Sequence, residues 1–379
     1  AQAILAQTVT PSTLGLPRQG GAFVFTTSGA NDMGAHGSKG KKSADQLARA
    51  KELAAREAAA AAAKKKREKL DPKDFIITGR EGTVVVKESG TIDGEQFNVE
   101  NCRDCDIFLL DHMDSSFVDE CENCRIFVGP AKGSVFVRNC RDCSMIIACR
   151  QFRSRDCENC KFALFCTTEP VIETSVNMLF GCFDFFYFSL PEQITRSGLQ
   201  VWNNKWWQIH DFNKNEAKPN WGLLPQEEVS SLLRATQCGG ITADELAMDI
   251  AVPVTLGCRP WPHESTCFVV FLPQSTSLIQ AFLTKARTED WILCRTRATL
   301  LAEDRAKALF AWTKEGLAAR CKGQEVTGIQ VCGPDVFQAV HDAIASTGLA
   351  TGSKSMRVVP AKETAALAKA FFETWKDEI

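Results

Sequence analysis

A cysteine pair recurs four times along this chain, and nothing else constrains its fold as tightly. The C-x-x-C pairs are Cys102/Cys105, Cys121/Cys124, Cys140/Cys143 and Cys157/Cys160, with first cysteines 19, 19 and 17 residues apart. Self-similarity at so short a period marks a stacked architecture, whose units bury a core only against their neighbours.

Aligning the rows on the first cysteine exposes a second, finer period. Five and three places before it stand Phe97 and Val99, Ser116 and Val118, Val135 and Val137, then Phe152 and Ser154. Five and seven places after it stand Ile107 and Leu109, Ile126 and Val128, Met145 and Ile147, then Phe162 and Leu164. A period of two means strands, and a rung of this length holds about three short ones with turns between. The Arg-Asp and Glu-Asn pairs inside the C-x-x-C units are turn residues, with side chains able to bond nearby backbone. The pattern predicts a mainly β chain built on a right-handed parallel β-helix, the usual hand of parallel crossovers. Gly90-Thr91 and the apolar run after Pro170 extend it at either end.

Two C-x-x-C pairs would suffice for a tetrahedral zinc site. The second cysteine of each pair, however, shares the inward register of Ile107, Ile126, Met145 and Phe162, where cysteine acts as a small hydrophobe. All eight are therefore read as a structural ladder with no metal, against zinc and redox alternatives. A thioredoxin-like motif would also want a βαβ context. With 17 cysteines, no signal-peptide pattern and ample length for cores, disulfides are not needed and a reducing cytoplasm fits.

The outward positions break their own pattern at one rung. Four places before the first cysteine they read Asn98, Phe117, Phe136 and Arg153; two places before it, Glu100, Asp119, Arg138 and Arg155. Gln151, Arg153 and Arg155 thus leave one outer face together, with Phe152 anchoring the strand from inside. A guanidinium so placed suits a phosphate, while a plain solvated basic strand is the alternative.

These residues resemble the tubulin-binding cofactor C (C-CAP) domain family. The likeness runs from Leu70–Thr83 (LDPKDFIITGREGT) through Gly129–Cys143 (GPAKGSVFVRNCRDC), Ala148–Cys157 (ACRQFRSRDC), Glu169–Ser175 (EPVIETS), Trp202–Phe212 (WNNKWWQIHDF) and Asn220–Pro225 (NWGLLP). The resemblance implies a β-helix that activates an Arf-like small GTPase in ciliary traffic of lipidated proteins. Arg153 matches the arginine finger and Gln151 the glutamine two places before it; Glu173 and Phe212 match positions that touch the GTPase or brace the finger. Arg155 is grouped with them as a contact. One departure is Arg150, where a glutamine is expected; it could weaken turnover. The GTPase would carry the GTP and Mg²⁺, so no cofactor is expected in this chain.

Around this domain, read as 71–225, the chain divides further. Residues 1–40 are rich in Gly, Ser, Thr and Ala and read as disordered. The chain does not open on Met-Gly, so the lipid anchor that the resemblance implies is not carried over. Residues 41–70 hold ten Lys or Arg against four Asp or Glu, a net +6 in a chain of formal net charge −2. Strong helix formers from Ser43 to Leu70 predict a charged helix roughly 42 Å long. It has little apolar face, and would suit an acidic partner such as tubulin or an axonemal protein. That favours a second function, a docking protein of ciliary or flagellar microtubules using the β-helix as a binding face.

The run Leu179–Phe188, with Trp202, Trp206, Trp207 and Phe212, is expected to cap the open end of the stack, Phe212 turning to an interface. His210 reads as a structural hydrogen-bonder, with no nucleophile constellation around it. Residues 226–264 read as a linker with a short helix over Gln226–Ala235. From 265 to 379 the order β-α-β-α-β-α predicts a ferredoxin-like layer, resembling a nucleoside diphosphate kinase. Its histidines, His263 and His341, lack a phosphate loop, so a kinase-dead domain is expected. Thr364–Trp375 reads as a closing amphipathic helix. No apolar run reaches the ~18–20 residues of a membrane span, and no nucleic-acid partner is expected.

Overall fold

Asn101, Asp104, Glu120, Asn123, Asn139, Asp142, Asp156 and Asn159 immediately precede the eight cysteines, and their φ angles lie between +49° and +56°. Few L-residues adopt this left-handed conformation; Asn and Asp do so most readily, and only Glu120 departs from that choice. Two such turns per C-x-x-C bend every rung at the same corner. The side chains there bond along the stack rather than to local backbone. Asn123 Nδ2 donates to Asp104 Oδ1 at 2.5 Å, Asn159 to Asp142 at 3.2 Å and Asn177 to Asn159 at 3.0 Å. In-register rungs ~4.8 Å apart put a polar group of the next rung within reach.

The structure, a computed structural model, describes residues 71–229, 231–233, 252–313, 316–346 and 355–375. The expected segments 1–40 and 41–70, including the charged helix, lie outside the described residues. The rungs form a parallel β-helix with two long flanks. One runs through Ile76–Thr78, Phe97–Glu100, Ser116–Asp119, the later parts of Arg125–Arg138 and Ser144–Arg155, Val171–Glu173 and His210–Asp211. The other runs through Val84–Lys87, Asp106–Leu109, the earlier parts of the same two long strands, Lys161–Cys166, Met178–Cys182 and Trp221–Leu223.

Between the flanks lies the core, made of the inward residues read from the sequence together with the whole cysteine ladder. Cys102, Cys105, Cys121, Cys124, Cys140, Cys143, Cys157 and Cys160 are each at most 1% exposed. These thiols also donate hydrogen bonds, as the weak S–H donor of a buried cysteine can. Cys124 Sγ donates to Cys102 O at 3.3 Å and Cys143 Sγ to Cys121 O at 3.4 Å. Cys160 Sγ donates to Glu158 O at 3.3 Å and, more weakly, to Cys140 O at 3.6 Å. The physical reason is a spare lone pair: Cys102 O and Cys140 O already accept from the N–H of Glu122 and Glu158, and a carbonyl can take a second donor. Thiols therefore knit successive rungs as well as filling space.

Lower down, Phe152, Phe162 and Phe180 pack with ring centroids 5.0 and 5.3 Å apart in sequence. Ser116 and Ser154 also face inward, their buried hydroxyls unpartnered among the described residues.

The two flanks differ on their outer sides. Outward Phe108, Phe127, Ile146, Ala163 and Phe165 are buried under Phe183, Tyr187 and the helix Leu190–Ser197. The run expected to cap the end of the stack therefore begins as one of its strands, Met178–Cys182, and then covers a side of it. The end is closed by Trp206, fully buried, with Trp207 and Trp221 against it. Trp202 departs from that group and enters the core of the carboxy-terminal sheet. Among the described residues, none covers the flank bearing Arg153, which alternates buried and partly buried residues in Phe97–Glu100 and Ser116–Asp119.

The carboxy-terminal layer is a four-stranded sheet in the order Ile292–Leu300, Glu325–Cys332, Thr266–Phe271, Met356–Val358, with every neighbour antiparallel. Sequence periodicity shows three of these strands; Met356–Val358 is too short to register. Helices Thr276–Thr288 and Val336–Ser346 serve one face, and Glu303–Leu309, Leu317–Cys321 and Ala361–Lys369 the other. The single helix expected over Ala302–Glu315 is thus shorter, and Leu317–Cys321 is a helix of its own. The closing helix ends at Lys369, followed by a wider turn over Ala370–Thr374.

Two adjacent asparagines fasten this layer to the β-helix, with which it forms one unit. Asn203 pairs with Ala298 like a strand, accepting from its N–H at 2.8 Å and donating to its carbonyl at 3.0 Å. Asn204 does the same on the other side, accepting from Cys166 N at 3.0 Å and donating to Leu164 O at 3.1 Å. The region read as a linker is also docked where it is described: its helix is Gln226–Val229, and Arg259 stacks 4.8 Å from the Trp206 ring.

Burial pushes the Cys182 and Cys267 thiols up from 9.0 to about 12. Their folded pKa exceeds the unfolded one, so the stability they lend is full below pH ~9 and is lost as pH rises toward ~12. In reducing buffer, the urea midpoint is expected to fall steadily between about pH 8.5 and pH 11; an unchanged midpoint would contradict this burial.

Candidate functional site

The flank of Arg153 presents two outward rows of side chains. In one, Asn98, Phe117, Phe136, Arg153, Val171 and His210 are successive register partners. In the other, Glu100, Asp119, Arg138, Arg155 and Glu173 follow each other in the same way. Phe212 extends the second row, its N–H donating to Ile172 O at 3.1 Å. Parallel pairing thus gathers Arg153, Arg155, Glu173 and Phe212, residues up to 59 positions apart, onto one face. The ladder cysteines, from Cys102 to Cys160, lie behind it in the core and contribute nothing to its surface.

Arg153 stands exposed near the middle of this face, over fully buried Phe152. Gln151, two residues earlier and therefore on the same side, braces it. Its hydrogen-bonding partners fix the amide orientation: Oε1 accepts from Arg153 Nη2 at 3.1 Å and Nε at 3.3 Å, while Nε2 donates to Ser134 Oγ at 2.8 Å. A neutral amide aims the guanidinium without neutralising it. Arg153 has no carboxylate partner within salt-bridge distance among the described residues. Arg150 is exposed at the bend before Gln151, its carbonyl accepting from Thr168 N at 3.1 Å.

The other sequence-derived residues are differently engaged. Arg155 reaches Asp156 at 3.3 Å, an ion pair about half exposed on both sides and correspondingly weak. Glu173 lies beside Arg155 in register, exposed. Phe212 is 64% exposed, its ring meeting that of His210 edge-on at 4.7 Å. That contact makes His210 a neighbour of an aromatic ring, where its sequence context suggests a structural hydrogen-bonder. Ser134 is invisible to sequence reading because its tie to Gln151 depends on the register between two rungs. A polar residue 17 positions earlier is the available signal.

On the other side of Arg153, Phe136 and Phe117 stack with centroids 5.0 Å apart and planes 11° from parallel. Arg138 lies 5.2 Å over the Phe117 ring and grips Asp119 through two hydrogen bonds of 2.7 and 2.5 Å. That carboxylate raises the Arg138 pKa above its ordinary value. A groove of about 420 Å³ follows the neighbouring corner, lined by Glu120, Asn139, Asp156 and Thr174 among others, but it contains neither Gln151 nor Arg153. Among the described residues no cluster of three or more His, Cys, Asp or Glu has metal-holding geometry.

Such a stack of cysteine-turned rungs is the β-helix of a cofactor C domain. The sequence profile of the family described as Tubulin binding cofactor C matches residues 94–212. Protein XRP2 of Danio rerio is 36% identical over 289 residues, covering 72% of this chain and 74% of that protein. Protein XRP2 of Homo sapiens is 38% identical over 64% of this chain and 71% of that protein. Tubulin-specific chaperone C of Mus musculus is 31% identical over 22% of this chain and 26% of its own length. The chain belongs to the XRP2 family of cofactor C domain proteins. No described helix is long and apolar enough to cross a membrane.

Because Arg153 is exposed and, among the described residues, its side chain is bonded through Gln151 alone, its removal should leave the fold alone. Arg153→Ala is expected to shift unfolding free energy by no more than ~0.5 kcal/mol. A thermal melt displaced by many degrees would show that the residue has a structural task instead.

Proposed function

We propose that this protein activates an Arf-like small GTPase in trans by inserting Arg153 against the phosphates of the bound GTP. One arrangement carries this reading: a permanently charged guanidinium, free of carboxylates among the described residues, held outward by Gln151 on a rigid parallel strand. Charge develops on the transferring phosphoryl group in the transition state, and an arginine aimed there lowers the barrier without taking part in bond making. Gln151 positions the finger; Glu173, Phe212 and Arg155 bind the GTPase. GTP and Mg²⁺ belong to the partner. We place the activity in the cytoplasm of a cilium or flagellum, in the traffic of lipidated proteins.

An arginine finger is worth roughly 10³–10⁵ in rate. In single-turnover GTP hydrolysis with Arf-like GTPases, Arg153→Ala and Arg153→Lys are expected to abolish stimulation. Affinity for the GTP-bound partner should stay within a fewfold, since the finger acts in the transition state. Glu173→Ala and Phe212→Ala are expected to raise the concentration needed for half-stimulation. Stimulation by Arg153→Ala equal to the wild type would refute the finger.

The carboxy-terminal layer we read as ferredoxin-like and without kinase activity. Its strand order, with the first strand between the third and fourth, supports the first half. For the second, His341 packs on Phe337, with rings 4.8 Å apart on one helix. A second reading, docking on microtubules or axonemal proteins, draws on the net +6 of residues 41–70 and on a relative named a tubulin-specific chaperone. Deleting 41–70 is then expected to release the protein from polymerised tubulin, and salt to weaken binding of the intact chain. Co-sedimentation indifferent to both would dismiss it.

A further inference from the structure

Two phenylalanines on an uncovered sheet face call for an occupant. Phe117 and Phe136 point outward by register, are half-buried and packed on one another with Arg138 over Phe117, and lie on the flank that no other described element covers. Phe136 is the direct register partner of Arg153, one strand away. Phe212 stands at the other side of the finger, two strands beyond it. The finger is therefore bracketed by apolar rings.

Area argues that one partner spans both. A stable complex buries about 800 Å² on each side. Two outward residues per strand, at strand spacing, offer only roughly 60–70 Å² per crossing. A GTPase that receives Arg153 in its nucleotide pocket cannot rest on the finger's own strand alone; it must extend over neighbouring strands. Toward the downstream edge the face soon ends at His210–Asp211, so much of the remaining footprint falls upstream, on Phe136 and Phe117.

We propose that the Phe117–Phe136 stack is a second apolar anchor for the GTP-bound GTPase, opposite Phe212 across the finger. The inference rests on the arginine-finger reading and adds where the partner sits. The ring pair is preorganised: Arg138 is locked to Asp119 by two hydrogen bonds and pins Phe117 from outside, so little side-chain entropy remains to be lost on binding. Its complement is an apolar or aromatic patch on the GTPase beside the nucleotide pocket. A charged partner surface would find Arg138 and Asp119 already satisfying each other.

The test uses the full chain and an Arf-like GTPase loaded with a non-hydrolysable GTP analogue, with affinity read by fluorescence polarisation. Phe136→Ala and Phe117→Ala are expected to weaken binding about tenfold or more, as truncated aromatic anchors do, and Phe136→Leu to recover most of it. The single-turnover rate at saturating protein should stay near the wild-type value, because Gln151 and Arg153 are intact. Phe136→Gln and Phe117→Gln, whose melting curves are compared with the wild type, keep side-chain length and separate a lost contact from a lost fold. Variants that melt normally yet bind within about twofold of the wild type, while Arg153→Ala still abolishes stimulation, overturn the anchor and leave the finger standing. A wild-type chain that neither binds nor stimulates overturns both.

Discussion

Everything in this molecule depends on keeping successive rungs in register. A parallel strand displaced by one residue turns its whole inward set outward, and here that set is the core. The corner holds the register. The residue before each of the eight cysteines adopts positive φ, and the cysteine after it is small enough to fill the tight inside of the bend. Arg125 with Asp106 and Arg138 with Asp119 add bonds from one rung to the next. Arg153 inherits its place from this arrangement: its strand is paired on both sides, to Arg125–Arg138 and to Val171–Glu173.

Rigidity of this kind matters for a residue that would act only in a transition state. A finger on a loop would lose conformational freedom on every insertion; one on a paired strand, with its guanidinium tied to an amide, has lost most of it already. Gln151 would suit that task because it is uncharged. A carboxylate in its place would orient the guanidinium as firmly but offset the charge that a phosphoryl group needs.

Much of this is legible in the residues. Period two and the recurring C-x-x-C identify the stack and its inward ladder, and the same alignment puts Gln151, Arg153 and Arg155 on one side. Other features depend on contacts that no period encodes. That Cys160 and its counterparts also donate hydrogen bonds across rungs follows from where carbonyls meet at the corner, not from their spacing. Alternation tells inside from outside on the flank of Arg153, whereas on the other flank the outward Phe108, Phe127, Ile146 and Ala163 are apolar too and mark a face to be covered; that Phe183 and Tyr187 are what covers it is a tertiary fact. Trp202 and Trp206 are four residues apart and equally apolar, yet Asn203 and Asn204 send them to different cores. Met356–Val358 has only three residues in the sheet, too few for any pattern.

The corner line has one more property. Glu81, Arg103, Glu122, Arg141 and Glu158 are successive neighbours there, and their signs alternate without a break. Arg103 meets Glu122 at 2.8 Å and Arg141 meets Glu158 at 3.2 Å. Each exposed pair contributes little, but the alternation acts as a parity rule on the length of the coil. Removing or duplicating one rung would set Arg against Arg or Glu against Glu, while removing or duplicating two preserves every contact. A coil of this kind can grow or shrink most easily by even steps, so its register is checked at the corner as well as in the core.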